Sequence, residues 1–71
     1  MTKSKTQSKI GNNIRLARQK MGLTQNDVAK KADVSVNYYA RIERGEVNPS
    51  VDTLKAIFTA LNVKSSDILP F

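Results

Sequence analysis

Apolar residues recur along the first part of the chain at steps of four, three and four, as Ile10, Ile14, Ala17 and Met21. That spacing gathers side chains on one stripe of a helix and predicts a first helix beginning near Lys9. Gly22 follows at once and supplies the left-handed residue on which helices commonly stop. Thr24 and Asp27 form a Thr-x-x-Asp start, in which the hydroxyl takes an orphan N–H and the acid sits at the positive helix end. The second helix it opens is short, running through about Ala32, with Val28, Ala29 and Ala32 on its inner face. Its alanines let a neighbouring helix approach closely at a steep angle. Asp33, which tolerates the left-handed region better than most residues, makes a tight connection with Val34 before Ser35 caps a third helix. That helix reaches Arg44, and Gly45 ends it. After a polar loop over residues 46–49, Ser50 caps a fourth helix whose Leu54, Ile57, Phe58 and Leu61 follow i, i+3, i+4, i+7. Ser65 or Ser66 then begins a last short turn carrying Ile68 and Leu69. No stretch alternates with period two for strand length and no internal repeat occurs, so the expected fold is all-α with five helices.

Composition narrows what such a bundle does. A chain of 71 residues makes one domain that buries only about 60% of the surface its unfolded form exposes, so a partner would add useful stability. No run approaches the roughly 18 apolar residues of a membrane span, and the basic, polar N-terminal stretch lacks the apolar core of a secretory signal, which makes the cytoplasm the default location. Without cysteine or histidine there are no disulfides, no thiolate or imidazole metal ligands and no usual general base. Asp27, Asp33, Glu43, Glu46, Asp52 and Asp67 are spread over separate elements with no paired carboxylates, so no enzyme activity, cofactor or metal is expected. The formal net charge is +6, and the excess is local: residues 1–20 hold Lys3, Lys5, Lys9, Arg15, Arg18 and Lys20 and no acid. A cationic segment beside a neutral domain attracts polyanions, nucleic acid foremost, although a solvated tail that aids solubility has the same composition. Residues 1–8 lack apolar periodicity and read as a flexible basic N-terminal arm, with residues 9–71 as the folded domain.

Two short helices joined by a tight turn across residues 24–44 can push one helix into a major groove while the other braces the backbone. Topology alone leaves an ordinary helical hairpin equally open. The residues themselves are more specific: Leu23-Thr24-Gln25, Val28-Ala29, Val34-Ser35, Tyr39, Arg41-Ile42-Glu43, Gly45 and Pro49-Ser50 resemble the Cro and phage-repressor helix-turn-helix family. The likeness runs over about residues 10–69. It implies a five-helix, lambda-repressor-like DNA-binding domain with the helix-turn-helix formed by helices 2 and 3. It also implies a sequence-specific transcriptional regulator that binds double-stranded DNA as a homodimer on a pseudo-palindromic operator. By the same resemblance Gln25 bonds a phosphate and helps lock the recognition helix, Arg18 and Glu43 form a partly buried structural ion pair, and Lys3, Lys5 and Lys9 belong to an arm that some members wrap around the duplex.

On the third helix, Tyr39 and Ile42 are expected to face the core, leaving Asn37, Tyr38, Arg41 and Arg44 outward. Asn37 pairs bidentately with adenine and Arg41 with guanine in the major groove. The bland alternatives are a capping role for Asn37 and a solvated charge for Arg41. Val36 either packs on a thymine methyl or turns inward. Of two adjacent tyrosines one hydroxyl must reach solvent or phosphate, and Tyr38 is the expected one. Arg44, Asn48, the backbone of residues 46–48 and helix N-termini are candidate phosphate contacts. Val63, Ile68, Leu69 and Phe71 form an apolar cluster that predicts a dimer interface, unless it merely covers the first helix. Activators of the resembled family often present acids from the second helix; Asn26 and Lys30 stand there instead, which favours a repressor. Alternatives are the DNA-binding module of a longer regulator and an antitoxin that uses the scaffold to bind a protein partner. A pure protein-interaction domain would want an acidic or apolar outer face on the third helix, and the stacking platforms of RNA modules are absent.

Overall fold

In the computed structural model, which describes residues 5–70, the chain forms α1 (Lys5–Lys20), α2 (Gln25–Lys31), α3 (Val36–Glu43), α4 (Val51–Leu61) and α5 (Ser65–Ile68). The starts of α2, α3 and α4 are the expected ones. The Thr24 hydroxyl accepts the Asp27 N–H at 3.0 Å while the Asp27 carboxylate accepts the Thr24 N–H at 2.9 Å, a bond that holds the Asp27 carboxyl below its ordinary range. Ser35 and Ser50 accept the N–H groups of Tyr38 and Thr53 at 3.0 and 3.1 Å.

The ends of α1, α2, α3 and α4 share one geometry. At the end of α1 the Gly22 N–H donates to the Gln19 carbonyl and the Leu23 N–H to the Arg18 carbonyl, at 3.0 and 3.1 Å. The same pair of bonds, the Schellman pattern, recurs at Asp33 and Val34 after α2, Gly45 and Glu46 after α3, and Asn62 and Val63 after α4. Each first residue has positive φ: 72° at Gly22, 59° at Asp33, 73° at Gly45 and 56° at Asn62. Asn62 was not anticipated as a stop. Its short polar side chain is tolerated in the left-handed region, as that of Asp33 is.

Ile14 from α1, Val28, Ala29 and Ala32 from or just after α2, Tyr39 and Ile42 from α3, Ile57, Phe58 and Leu61 from α4, and Ile68 from α5 make a single core. Helix α3 rests on both α1 and α2, and α2 also packs on α4.

Three expectations change. First, α1 begins by Lys5, so residues 5–8 are helical and not a flexible arm; Lys3 lies outside the described residues. The cause is tertiary: the Ser8 backbone lies against Gly45, and Gln7 and Ile10 face Ile42, Val47 and Leu54 across a small cleft. Second, Met21 is half-exposed, because α1 has already ended and the turn brings Leu23 against the core in its place. Third, Ile68 is 2% exposed and belongs to the protomer's own core, with its carbonyl accepting a 2.7 Å bond from Asn13 Nδ2, so it is not available to a dimer partner. Phe71 lies outside the described residues, while Val63 and Leu69 are half-buried at the core's edge.

The expected ion pair is present and more connected than expected. Arg18 Nε and Nη2 donate to the two Glu43 carboxylate oxygens at 2.6 and 3.2 Å, Arg18 Nη1 donates to the Leu23 carbonyl at 3.0 Å, and Gln25 Nε2 donates to Glu43 at 3.0 Å. The Glu43 side chain is only 2% exposed. Burial pushes its carboxyl up, but the bonds from Arg18 and Gln25, with the Tyr39 hydroxyl nearby, outweigh burial and leave it below the ordinary value. The buried Tyr39 hydroxyl lies close enough to feel both charges, and burial drives its pKa up, yet it makes no hydrogen bond of ordinary geometry. Beside this cluster α1 and α3 nearly touch at Gly11: a side chain there would meet the carbonyl oxygens of Ile42 and Glu43, the latter at 2.5 Å.

Removing one partner strands a buried charge, so Glu43→Ala is expected to lower the unfolding free energy by about 3–5 kcal/mol; a urea midpoint equal to the parent's would refute this. Because the folded pKa of Glu43 is depressed, its contribution is complete above the ordinary carboxyl value of 4.5 and is lost as pH falls through the lower folded value. Urea titrations across that acid range should show the parent weakening more steeply than Glu43→Gln, and parallel curves would contradict the assignment. Gly11→Ala gains up to about 1 kcal/mol of helix propensity but overpacks the crossing by about 1–3 kcal/mol; thermal denaturation should therefore show a net loss, and a more stable variant would overturn the close-approach argument.

Candidate nucleic-acid interface

The outward side of α3 is built by what its inward side must do. Tyr39 and Ile42 are buried beneath it, which leaves Asn37 and Arg41 exposed on the opposite side, with Arg44 exposed at the C-cap. Ser35 is the cap, so the Asn37 carboxamide is left outside that role. Val36 is 44% exposed, which places it toward solvent and not in the core. Tyr38 is half-buried and packs at the core's margin, so only part of the ring and its polar end reach outward.

At the C-terminal end of α3 three charged side chains come together. Glu46 accepts two bonds from Arg44, at 2.8 Å from Nε and 3.3 Å from Nη2, and Arg41 Nε lies 3.6 Å from its Oε1. The bonds that Arg44 donates to Glu46 hold its guanidinium still more firmly protonated. The Glu46 side chain was missed as a member of this surface, to which only its backbone was assigned. Arg41 and Glu46 are five residues apart, a separation that has no helical meaning until Gly45 turns the chain back over the last turn of α3.

Gln25, the first residue of α2, is half-buried with one N–H committed to Glu43. A carboxamide has two such donors, so a second remains for an anion on the surface. Asn48 is exposed in the loop between α3 and α4, close to Gln7 and Ile10 in the first turns of α1. Lys5 and Lys9 are exposed on α1, flanking the Ser8 that abuts Gly45. The segment of α1 that carries Lys5 and Lys9 is thereby brought to the end of α3. Val63 and Leu69 are elsewhere: Leu69 borders an open apolar groove with Val51, Leu54 and Phe58, and Val63 a separate hollow with Leu16 and Ala17.

Comparison with known proteins agrees with this geometry. A helix-turn-helix family model matches residues 14–68. The immunity repressor protein of Bacillus phage phi105 is 42% identical over 60 residues, covering 84% of this chain and 42% of that protein. Among solved structures, the restriction-modification controller protein C.AhdI from Aeromonas hydrophila superposes with a TM-score of 0.84 at 27% identity, over 87% of this chain and 94% of that one. The clp gene regulator ClgR from C. glutamicum reaches a TM-score of 0.89 at 25% identity, covering 94% of this chain and 86% of that one. The chain spans about half the length of the first curated relatives it matches, 42% to 54%. With its five helices, its α2-turn-α3 unit and these relatives, the chain belongs to the helix-turn-helix family of DNA-binding transcriptional regulators.

Proposed function

We propose that this chain binds double-stranded DNA sequence-specifically as a homodimeric transcriptional repressor, acting in the cytoplasm on a pseudo-palindromic operator. The observation that carries the reading is the outward side of α3, where Asn37 and Arg41 stand exposed over a backbone fixed from beneath by Tyr39, Ile42 and the Glu43 network.

In the major groove Asn37 offers an acceptor and a donor to adenine, Arg41 a donor pair to guanine, and Val36 a methyl surface to thymine. Tyr38 adds its polar end at the margin. Gln25 bridges a phosphate to the buried Glu43 carboxylate, so backbone contact and recognition-helix position are mechanically linked. Arg44 and Asn48 add phosphate contacts that set register without reading sequence. Lys5 and Lys9, with Lys3 beyond the described residues, contribute counterion release along the neighbouring backbone.

A second copy is needed on geometric grounds. The longest principal extent of the protomer is 29 Å, whereas half-sites one helical turn apart are separated by about 34 Å. Val63 and Leu69, together with Phe71, are the apolar positions proposed for the two-fold contact. Repression is favoured by Asn26 and Lys30, both exposed on α2 where an acidic activating surface would stand, and by the likeness to a phage immunity repressor.

Selection from random duplexes should yield a two-fold symmetric consensus. Asn37→Ala and Arg41→Ala should each lose about 1–3 kcal/mol of discrimination at one base pair per half-site. With six to ten phosphates neutralised per dimer, affinity should fall by roughly 10³–10⁵ between 50 and 200 mM salt. A flat salt response, or unchanged discrimination after both substitutions, would sink the proposal.

A further inference from the structure

Glu46 is out of place on a surface that meets a polyanion. A carboxylate there repels phosphate, yet the fold holds it beside the two arginines assigned to base and backbone. Its position is set by the main chain: Glu46 N–H donates to the Arg41 carbonyl at 2.9 Å, and Gly45 N–H to the Ile42 carbonyl at 3.0 Å. In the Schellman pattern the residue occupying the Glu46 position normally makes an apolar contact with the one occupying the Arg41 position. At the ends of α1, α2 and α4 that residue is Leu23, Val34 or Val63, each packed against the core. Only after α3, among these four endings, is it charged, and its counterpart Arg41 is charged as well.

The details of the contact matter. Glu46 approaches Arg41 at Nε, 3.6 Å away, on the stem side of the two terminal amino groups of that guanidinium. Those are the groups an arginine presents end-on to the O6 and N7 of guanine. The same carboxylate fixes Arg44 by two bonds. Arg41 and Arg44 are about half-exposed, at 47% and 51% of the side chain, and a long solvated arginine loses rotamer freedom when it docks. A neighbour that orients it beforehand reduces that loss.

We propose that Glu46 is a positioning residue for DNA readout: it orients Arg41 from the Nε side toward a guanine edge and couples it to the phosphate-facing Arg44. The inference rests on the DNA-binding reading above. It makes Glu46 a determinant of specificity that costs general affinity.

The test compares Glu46→Gln with the parent on two duplexes, the selected consensus and the same duplex with the Arg41-dependent guanine replaced. Both proteins are measured by titration at fixed salt, alone and in an Arg41→Ala background. The expected result is a gain in affinity for the substituted duplex and a ratio of consensus to substituted binding reduced roughly threefold to fivefold, the range of an exposed ion pair. In the Arg41→Ala background the same change should leave the ratio unaltered. If Glu46→Gln strengthens both duplexes equally, the carboxylate only repels DNA and the inference fails. It fails also if the ratio drops as much without Arg41. A parent protein that does not distinguish the two duplexes would instead overturn the DNA-readout assignment itself. Glu46 is a surface residue, so an unchanged melting temperature is the accompanying check on folding.

Discussion

The Glu43 carboxylate is the point at which the helix-turn-helix is held together. Arg18 reaches it from α1, Gln25 from the first turn of α2, and α3 carries it, while the remaining Arg18 nitrogen closes the α1–α2 turn at the Leu23 carbonyl. An isolated helix of eight residues is far below the length at which helices persist in water, so α3 owes both its existence and its direction to what grips it. A buried ion pair adds little net stability over an apolar substitute. Its distinctive contribution here is directional: the bonds at Glu43 allow few relative orientations of three helices, where apolar packing alone would tolerate several.

Close approach does the rest. At Gly11 the backbones of α1 and α3 lie too close to admit even a single methyl group, and at Gly45 the α3 stop lies against Ser8. Ala29 and Ala32 are small and buried where α2 meets its neighbours. With α3 seated this deeply on one side, its other side is left to Asn37 and Arg41, continued at the C-cap by Arg44. Local stops, small-residue crossings and one buried charge cluster thus lead step by step from sequence to a presented surface.

Much of this was legible because it is local. The caps at Thr24, Ser35 and Ser50 and the stops at Gly22, Asp33 and Gly45 are decided within four to six residues, and the inward placement of Tyr39 and Ile42 follows from helical spacing. The stop at Asn62 and the Glu46 side chain are local misses, and most of the others are long-range. Residues 5–8 carry no apolar rhythm and are helical because Gly45 and the α3–α4 loop receive them. Ile68 looked like spare apolar surface because spacing does not reveal which neighbour a side chain will find, and its neighbour is α1. The Arg18–Glu43 pair came from family likeness, whereas the Gln25 and Leu23 bonds around it emerge only once three helices are assembled. The side-chain contacts of Glu46 escaped notice because its partners are defined by a left-handed turn.

The self-contained helix endings bear on how the chain is made and lost in a cell. Bonds that span five residues form with little loop-closure entropy, and small helical proteins rich in such short-range contacts fold in microseconds to milliseconds. A marginally stable domain that refolds so readily also opens often, and each opening exposes it to proteases. Occupancy of a binding site stabilises the folded form in proportion to the logarithm of ligand excess. A filled binding site therefore lowers the population of the open form, and with it the exposure of the backbone to cleavage.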